Sequence, residues 1–370
     1  MSGRTRPEAE QAEGTRPQAV LATADGVMPG DQSLVSSQRL EEELSGHLPA
    51  LAELPARGHH ATLRGRAIAM LAELPAELTS YGWRLVDRPG ADHRRAVQLL
   101  RADVDTLADV RGARAEDGGD DQPAELVLHL LGPVSLAAQL ALPGGEKLLV
   151  DHGARRDLAD SLAAGAAEHL AHVRRSCAPA ALRVVLLEPD HQRVRTGSVP
   201  TVSGYRTIRA LPRDETRRMI GVVVESLRAA GADEVLLDLG EAPLLEHVED
   251  HRAPTGTRVD GFGLPVPALT TGDWERVAGL VEEGTRFHAG LLRSVPRSMQ
   301  ETPQVSVLAR RLSEPWQALG MPSSSLAALS VTPLASAARD QLAAVSETDA
   351  LRLVSRTRNA AEALTDQMTA

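Results

Sequence analysis

Aromatic side chains are scarce: three Trp, two Tyr and two Phe among 370 residues. The core must therefore be aliphatic, drawn from the Leu, Val and Ala that dominate a hydrophobic share of 42%. The lone cysteine, Cys177, excludes an internal disulfide and any structural zinc site that needs two thiolates. No apolar run approaches the roughly 18 residues that span a bilayer. The opening MSGRTRPEAEQAEGTRPQ lacks the apolar stretch of a secretory signal. A cytoplasmic protein with no membrane partner is expected.

Positive charge is also in deficit. Forty basic residues face fifty acidic ones, for a formal charge of -10. With so few stacking rings, the chain lacks the footprint of a nucleic-acid binder. A local basic pocket for a small anion stays open.

The chain does have a repeated rhythm of short apolar runs followed by helical patterns, the mark of parallel βα units. Residues 1–17, rich in Pro, Gly, Glu and Arg, read as a disordered tail. Strand candidates are Ala19–Ala22, Leu51–Leu54, Leu126–Leu131, Leu182–Leu187, Glu234–Leu239, a weaker one near Arg258–Phe262, Phe287–Leu292 and Ala328–Val331. Helices are expected at about 32–44, 62–74 and 92–110. Tyr81–Gly90 reads as a strand-like excursion and Glu116–Gln122 as a solvated loop. Eight strands alternating with helices, and no Gly-rich dinucleotide fingerprint, favour a single-domain α/β fold, the (β/α)8 barrel, over an open doubly wound sheet. The barrel would occupy residues 18–340, with residues 341–370 as a helix packing on it.

In such a barrel the working groups sit at the carboxyl ends of the strands. Glu188, closing RVVLLEP, and Asp238, closing EVLLDLG, are the candidate catalytic carboxylates, placed where desolvation can tune them. Arg57, Arg84 and Arg88 are candidates for a cationic rim. His247 and His251, four apart in LLEHVEDH, could share a helix face as metal ligands, although a solvated charged face is the plainer reading. His169 and His172 read as part of a charged helix. His59–His60 falls at the presumed mouth.

Taken in order, several strand-end segments resemble the C-terminal catalytic barrel of cobalamin-independent methionine synthase, above all its short single-barrel members. The matching pieces are DGVMPG at 25–30, LPALAELPARG at 48–58, YGWRLVDRPGADHRRA at 81–96 and LLGPVSLAAQLALPGG at 130–145. They continue with VVLLEP at 184–189, SVPTVSGYRTIRALP at 198–212 and VTPLAS at 331–336. The resemblance implies an S-methyltransferase ancestry, in which a zinc ion held by His, Cys, Glu and Cys turns homocysteine into a thiolate for methylation by a folate donor. It also implies that Gly26, Pro29, Arg57 and Trp83 line a ligand pocket.

This sequence departs from the family at each zinc position. Asp238-Leu239-Gly240 stands where relatives carry His and Cys, Ala335 where the last Cys follows V-T-P, and Asp260 or Phe262 near the Glu ligand. Leu187 replaces the Asp that precedes Glu188. No metal and no cofactor is expected at these positions. Cys177, just ahead of a strand, falls at the wrong end of the barrel to help.

Three readings follow. The first is a degenerate relative without zinc–thiolate chemistry, keeping a vestigial pocket for a folate-like or amino-acid ligand. The second is an enzyme that uses Glu188, Asp238 and Asp260 as acid, base or hard-metal ligands. The third is a non-catalytic interaction scaffold.

Overall fold

A computed structural model describes residues 19–116, 125–240, 245–251 and 258–369. Its strands are β1 (Leu21–Ala22), β2 (Ala76–Thr79), β3 (Gly82–Leu85), β4 (Leu126–Leu131), β5 (Leu182–Leu187), β6 (Glu234–Asp238), β7 (Gly261–Pro265), β8 (Arg286–Leu292) and β9 (Leu329–Leu334). The helices α1 to α5 are Ser33–Glu43, Leu63–Ala69, Ala91–Glu116, Pro133–Gln139 and His152–Cys177. Those from α6 to α11 are His191–Thr196, Arg213–Ala229, Leu245–Glu249, Thr271–Glu282, Val305–Ala318 and Glu347–Thr369.

Seven strands form one parallel sheet in the order β1-β9-β8-β7-β6-β5-β4. The gap between its two edges is filled by residues 48–53. Parallel bridges join Leu48 to Thr23 and Ala50 to Val127. Leu48 N donates to Ala22 O at 3.0 Å, and Val127 N donates to Pro49 O at 2.8 Å. This segment is the eighth stave, and the fold is a (β/α)8 barrel. It stays irregular because Pro49 has no amide hydrogen to give to a ladder.

Alternation along each strand sorts the core into two. Leu48, Ala50, Val127, Val185, Leu187 and Leu236 pack together inside the barrel. Their neighbours, among them Leu128, Val184, Leu186, Val235 and Leu237, face the helices. The amino end of the barrel is crossed by ions: Arg183 bonds Glu125 at 2.7 Å and Glu234 at 2.9 Å, and Arg286 bonds Glu234 at 3.1 Å. This end is tied shut by its own charges, so the carboxyl end is the one that can host chemistry.

Four expectations need adjusting. The weak strand near 258–262 lies at Gly261–Pro265, which leaves Asp260 ahead of the strand. Leu51–Leu54 makes a single isolated bridge, Glu53 to Val27, instead of a regular strand. The Tyr81–Gly90 excursion is one arm of an antiparallel hairpin, β2–β3, with Leu78 opposite Trp83. The helix expected to reach residue 74 ends at Ala69. The tail at 1–17 and the loop beyond Glu116 lie outside the described residues. Helix α11 packs on α10, β1 and β9, and Thr365 Oγ1 accepts from Val20 N at 3.0 Å.

Candidate functional site

The carboxyl ends of the staves bring four acids, one arginine and one histidine to the barrel mouth. Asp25 follows β1, Glu53 ends the eighth stave, Glu188 follows β5 and Asp238 ends β6. His129 lies two residues beyond the inward-facing Val127 on β4, so it also points inward. Arg339 belongs to the 3-10 coil Ser336–Ala344 that follows β9.

Each acid is bonded by the chain itself. Asp25 is 4% exposed and accepts from Thr332 Oγ1 at 2.6 Å and Leu334 N at 3.2 Å. Glu53 accepts from Leu63 N at 2.8 Å and Arg339 Nη2 at 2.9 Å. Glu188 is fully buried, and its two oxygens accept the Val134 and Ser135 amides at 2.9 and 2.6 Å. It thus caps the first turn of α4, where Pro133 opens the helix and free amides point outward. Asp238 Oδ1 accepts from Gly240 N at 2.8 Å and from the Ser336 hydroxyl.

Two glycines make room for these carboxylates. A Cβ on Gly132 would stand 2.3 Å from Glu188 Oε1, and one on Gly263 would stand 2.3 Å from Asp238 Oδ2. Glu188 therefore leans toward β4 and Asp238 toward β7, so the two side chains diverge. Burial pushes Asp25 and Glu188 up to about 7 and Asp238 up to about 6, against the hydrogen bonds that favour their charged forms. His129 is held well below the usual imidazole range, first by burial and then by Arg339. It is neutral at pH 7, and its Nδ1 has no hydrogen-bond partner.

Asp260 does not join this group. Its carboxylate accepts from Val235 N and Arg228 Nη2, each at 2.8 Å, at the amino end of the barrel. The three-carboxylate mouth expected from Glu188, Asp238 and Asp260 is corrected on that point, because β7 begins one residue after Asp260.

The remaining sequence candidates are scattered. Gly26 has φ +81, and its Cα approaches the His129 ring so closely that a Cβ would lie 3.0 Å from Nδ1. Pro29 is buried in the same loop. Arg57 bonds Asp103 at 2.6 Å, and the same oxygen takes Arg66 at 2.7 Å. Trp83 is 2% exposed, edge-on to His60 at 5.5 Å, and His60 Nε2 lies 2.9 Å from Asp92. His172 lies 3.5 Å from Asp105, and burial pushes His169 down to about 3. Cys177 ends α5, buried, with its thiol 3.7 Å from Val104 O and pushed up to about 11 by burial. His247 and His251 turn inward to meet His191, with ring centroids 5.4 and 5.9 Å from it.

On the mouth side, between the start of α5 and residues 195–215, lies a cavity of about 900 Å³. Arg155, Arg195, Arg209 and Glu215 line it together with Ile208 and Leu211. Arg155 is already held by Glu215 at 2.7 Å.

Asp25, Glu53, His129 and Arg339 were not singled out from sequence. Three of them carry a visible mark: a single ionisable residue in the apolar runs AVLATADG, LPALAELP and LVLHLL. Arg339 carries none, since SAARD lies beyond the last strand in an ordinary surface-like segment.

The zinc of the methionine synthases that the sequence resembles does not fit the residues that stand in its place here. Asp238 offers only hard carboxylate oxygens, of which Oδ1 is already shared by Ser336 and Gly240, and Leu239 is buried at 2% exposure with no donor. Ala335 has no donor and packs its Cα 2.8 Å from where a Gly290 Cβ would be. Among the described residues no group of three His, Cys, Asp or Glu is arranged to hold a metal ion.

No family model matches this sequence, and no curated protein does. Among solved structures, a B12-independent methionine synthase from Shewanella sp. W3-18-1, in complex with selenomethionine, is similar over 95% of this chain and 99% of its own. The TM-score is 0.54 at 10% identity. A GH113 β-1,4-mannanase covers 85% of this chain and 87% of its own, with TM-score 0.39 and 10% identity. Among the described residues no helix is long and apolar enough to cross a membrane.

Proposed function

We propose that this chain is a methionine-synthase-like barrel that keeps a small-molecule site at its mouth without zinc–thiolate methyl transfer. One observation carries the reading. Where the soft donors of that chemistry would stand, the chain has Asp238, bound to Ser336 and Gly240, and the donor-free Ala335. A thiol with pKa near about 8.5 is mostly protonated at neutral pH, and a soft cation is what makes it a nucleophile. Each mouth acid accepts at least two of the chain's own donors, so these groups hold its shape and leave the His129 ring free at Nδ1.

The ligand class in this reading is an amino acid or a folate-like molecule. It is supported by the selenomethionine bound to the similar methionine synthase, and by the arginine-lined cavity beside the mouth, which suits a carboxylate on an otherwise apolar body. Calorimetric titration with homocysteine, methionine and a methylated polyglutamyl folate tests it, with product analysis alongside. Binding without methionine formation is the expected result. Conversion of homocysteine to methionine, abolished by a chelator, would overturn it, and no binding at all would favour a scaffold.

A second reading is favoured by the acids near neutrality. Glu188 at about 7 and Asp238 at about 6 are poised for general acid–base catalysis. Turnover of any mouth ligand, lost in both Glu188→Gln and Asp238→Asn with folding intact, would select it.

A further inference from the structure

We propose that Arg64, Lys147 and Arg193 form a site, at the rim of the barrel mouth, for one phosphoryl group of a small anionic ligand. Arg64 is the second residue of α2, beside Leu63, whose amide is bonded to Glu53 at the mouth. Lys147 lies in the link between α4 and α5, and Arg193 lies in α6, five residues past Glu188. A run of hydrogen bonds draws them together. Arg64 Nε donates to Gln139 Oε1 at 2.6 Å, and Gln139 Nε2 donates to Asp190 Oδ2 at 2.7 Å. Arg193 Nη1 donates to Asp190 Oδ1 at 2.8 Å. Asp190 is fixed in turn by the Ser135 hydroxyl, which accepts its amide at 2.9 Å. Lys147 Nζ donates at 2.9 Å to the carbonyl of Ala138, next to Gln139.

Two of these cations lack a counter-ion. The fully buried arginines Arg66, Arg155 and Arg339 each hold a carboxylate. Arg64 and Lys147 are half-buried, yet among the described residues neither forms an ion pair, and each is held by a neutral oxygen. Drawing a cation out of water without a partner is costly, and an anion from solution removes that cost. The nearby acids are engaged elsewhere. Asp190 serves Arg193 and Gln139, and Asp340 lies 3.6 Å from Arg339. Glu146 accepts the amides of Lys147 and Val202 at 3.0 and 3.4 Å. Burial therefore pushes Arg64 and Lys147 below their ordinary values, against Asp190, Asp340 and Glu146, and Arg193 and Arg64 push Lys147 the same way.

The open donors define the ligand. Neither terminal nitrogen of Arg64 has an acceptor among the described residues, and both keep contact with solvent, so a ligand can reach them. An ammonium has three hydrogens, and Lys147 uses one. A guanidinium presents paired N–H groups to two oxygens of one phosphate, and a lysine adds a point charge. Two unpaired cations match a phosphate monoester, which carries about -1.5 to -2 at pH 7, better than a lone carboxylate. The site does not depend on the mouth ligand proposed above, so failure to bind homocysteine, methionine or a folate would leave it standing.

The test is calorimetric titration of the full chain with inorganic phosphate at constant ionic strength. Saturable binding of one phosphate per chain is expected. Arg64→Met and Lys147→Met should each weaken it by about 10-fold or more, the scale of a hydrogen bond between charged groups. Arg156→Gln, on the exposed side of α5, should leave it unchanged. Phosphate should also raise the urea midpoint of the intact chain and not that of Arg64→Met, and the same unfolding curves verify that the variants fold. No saturable binding, or undiminished binding in either Met variant, would overturn the proposal. Acetate or succinate held as tightly as phosphate would overturn it too, by making the site one for carboxylates.

Discussion

Arg339 and Glu53 are 286 positions apart in the chain, and their side chains meet at 2.9 Å inside the barrel mouth. Both are buried, at 4% and 1% exposure. Arg339 also donates two bonds to the carbonyl of Asp25, at 2.9 and 3.2 Å. A guanidinium with fixed donors suits this work, since it links the first stave, the eighth stave and the segment after β9 at one point. The pair closes the ring from within, where the backbone ladder is weakest.

Arg339→Met should therefore cost stability by about 3–5 kcal/mol, because it leaves Glu53 as an uncompensated buried charge. The double variant Arg339→Met with Glu53→Gln should recover part of the loss. Urea unfolding of the four species measures both effects, and an additive result would show that the two groups do not depend on each other.

Gly132→Ala forces its Cβ against the carboxylate of Glu188, which has no room to retreat because it is fully buried. Loss of the α4 cap should cost about 2–4 kcal/mol. Gly144→Ala, with nothing within 4 Å, is the control and should stay within about 0.5 kcal/mol. Equal unfolding midpoints for the two variants would contradict the placement of Glu188.

The raised pKa of Asp25 sets a pH dependence. Its folded value of about 7 lies above the ordinary aspartate value of 3.8, so between the two the folded state holds a proton that the unfolded state has released. This group's contribution is complete below about 4 and is lost as pH rises toward and through 7, by an amount on the order of a few kcal/mol. Asp25→Asn cannot ionise and should flatten the stability profile across that window. Profiles from urea unfolding at several pH values decide it, and parallel curves would refute the assignment.

Cys177 should resist thiol reagents in the folded protein and react on unfolding, since it is 5% exposed and its thiol is pushed up to about 11. Reagent uptake with and without denaturant is the check. Fast labelling of the native chain would place the sulfur at the surface.

Much of the barrel was legible because its strands are fully buried. A run such as LVLHLL or LRVVLL, stopped by Gly-Pro or Glu-Pro, announces a parallel strand through hydrophobicity alone. The two runs coincide with β4 and β5 end to end. Residues 48–53 were harder, because Pro49 spoils the ladder that an apolar run would otherwise make. The hairpin β2–β3 was half seen, since AELT reads as polar and gives no periodicity of its own. At the mouth, the strand-end rule located Glu188 and Asp238 but not what they touch. Their partners Ser135 in α4, Ser336 in the coil after β9 and Gly240 just past β6 are brought to them by chain paths that only the fold reveals. Asp260 failed for a simple reason: a shift of a few residues in the start of β7 moved it to the opposite end of the barrel. His247 and His251 carried an i, i+4 pattern, whereas His191 is distant in sequence and gave no sign that it would join them.

The pairing of β1 with β9 has a bearing on how this molecule comes into being on the ribosome. β1 has two residues, and its ladder partner is synthesised more than 300 positions later. Until β9 and the segment carrying Arg339 have left the exit tunnel, the N-terminal third of the chain has an open flank that no later stave has covered. Closure is thus a late event governed by long-range contacts, which fold slowly and stay vulnerable to association while they wait. Truncated or stalled products of this chain should be the ones that chaperones retain.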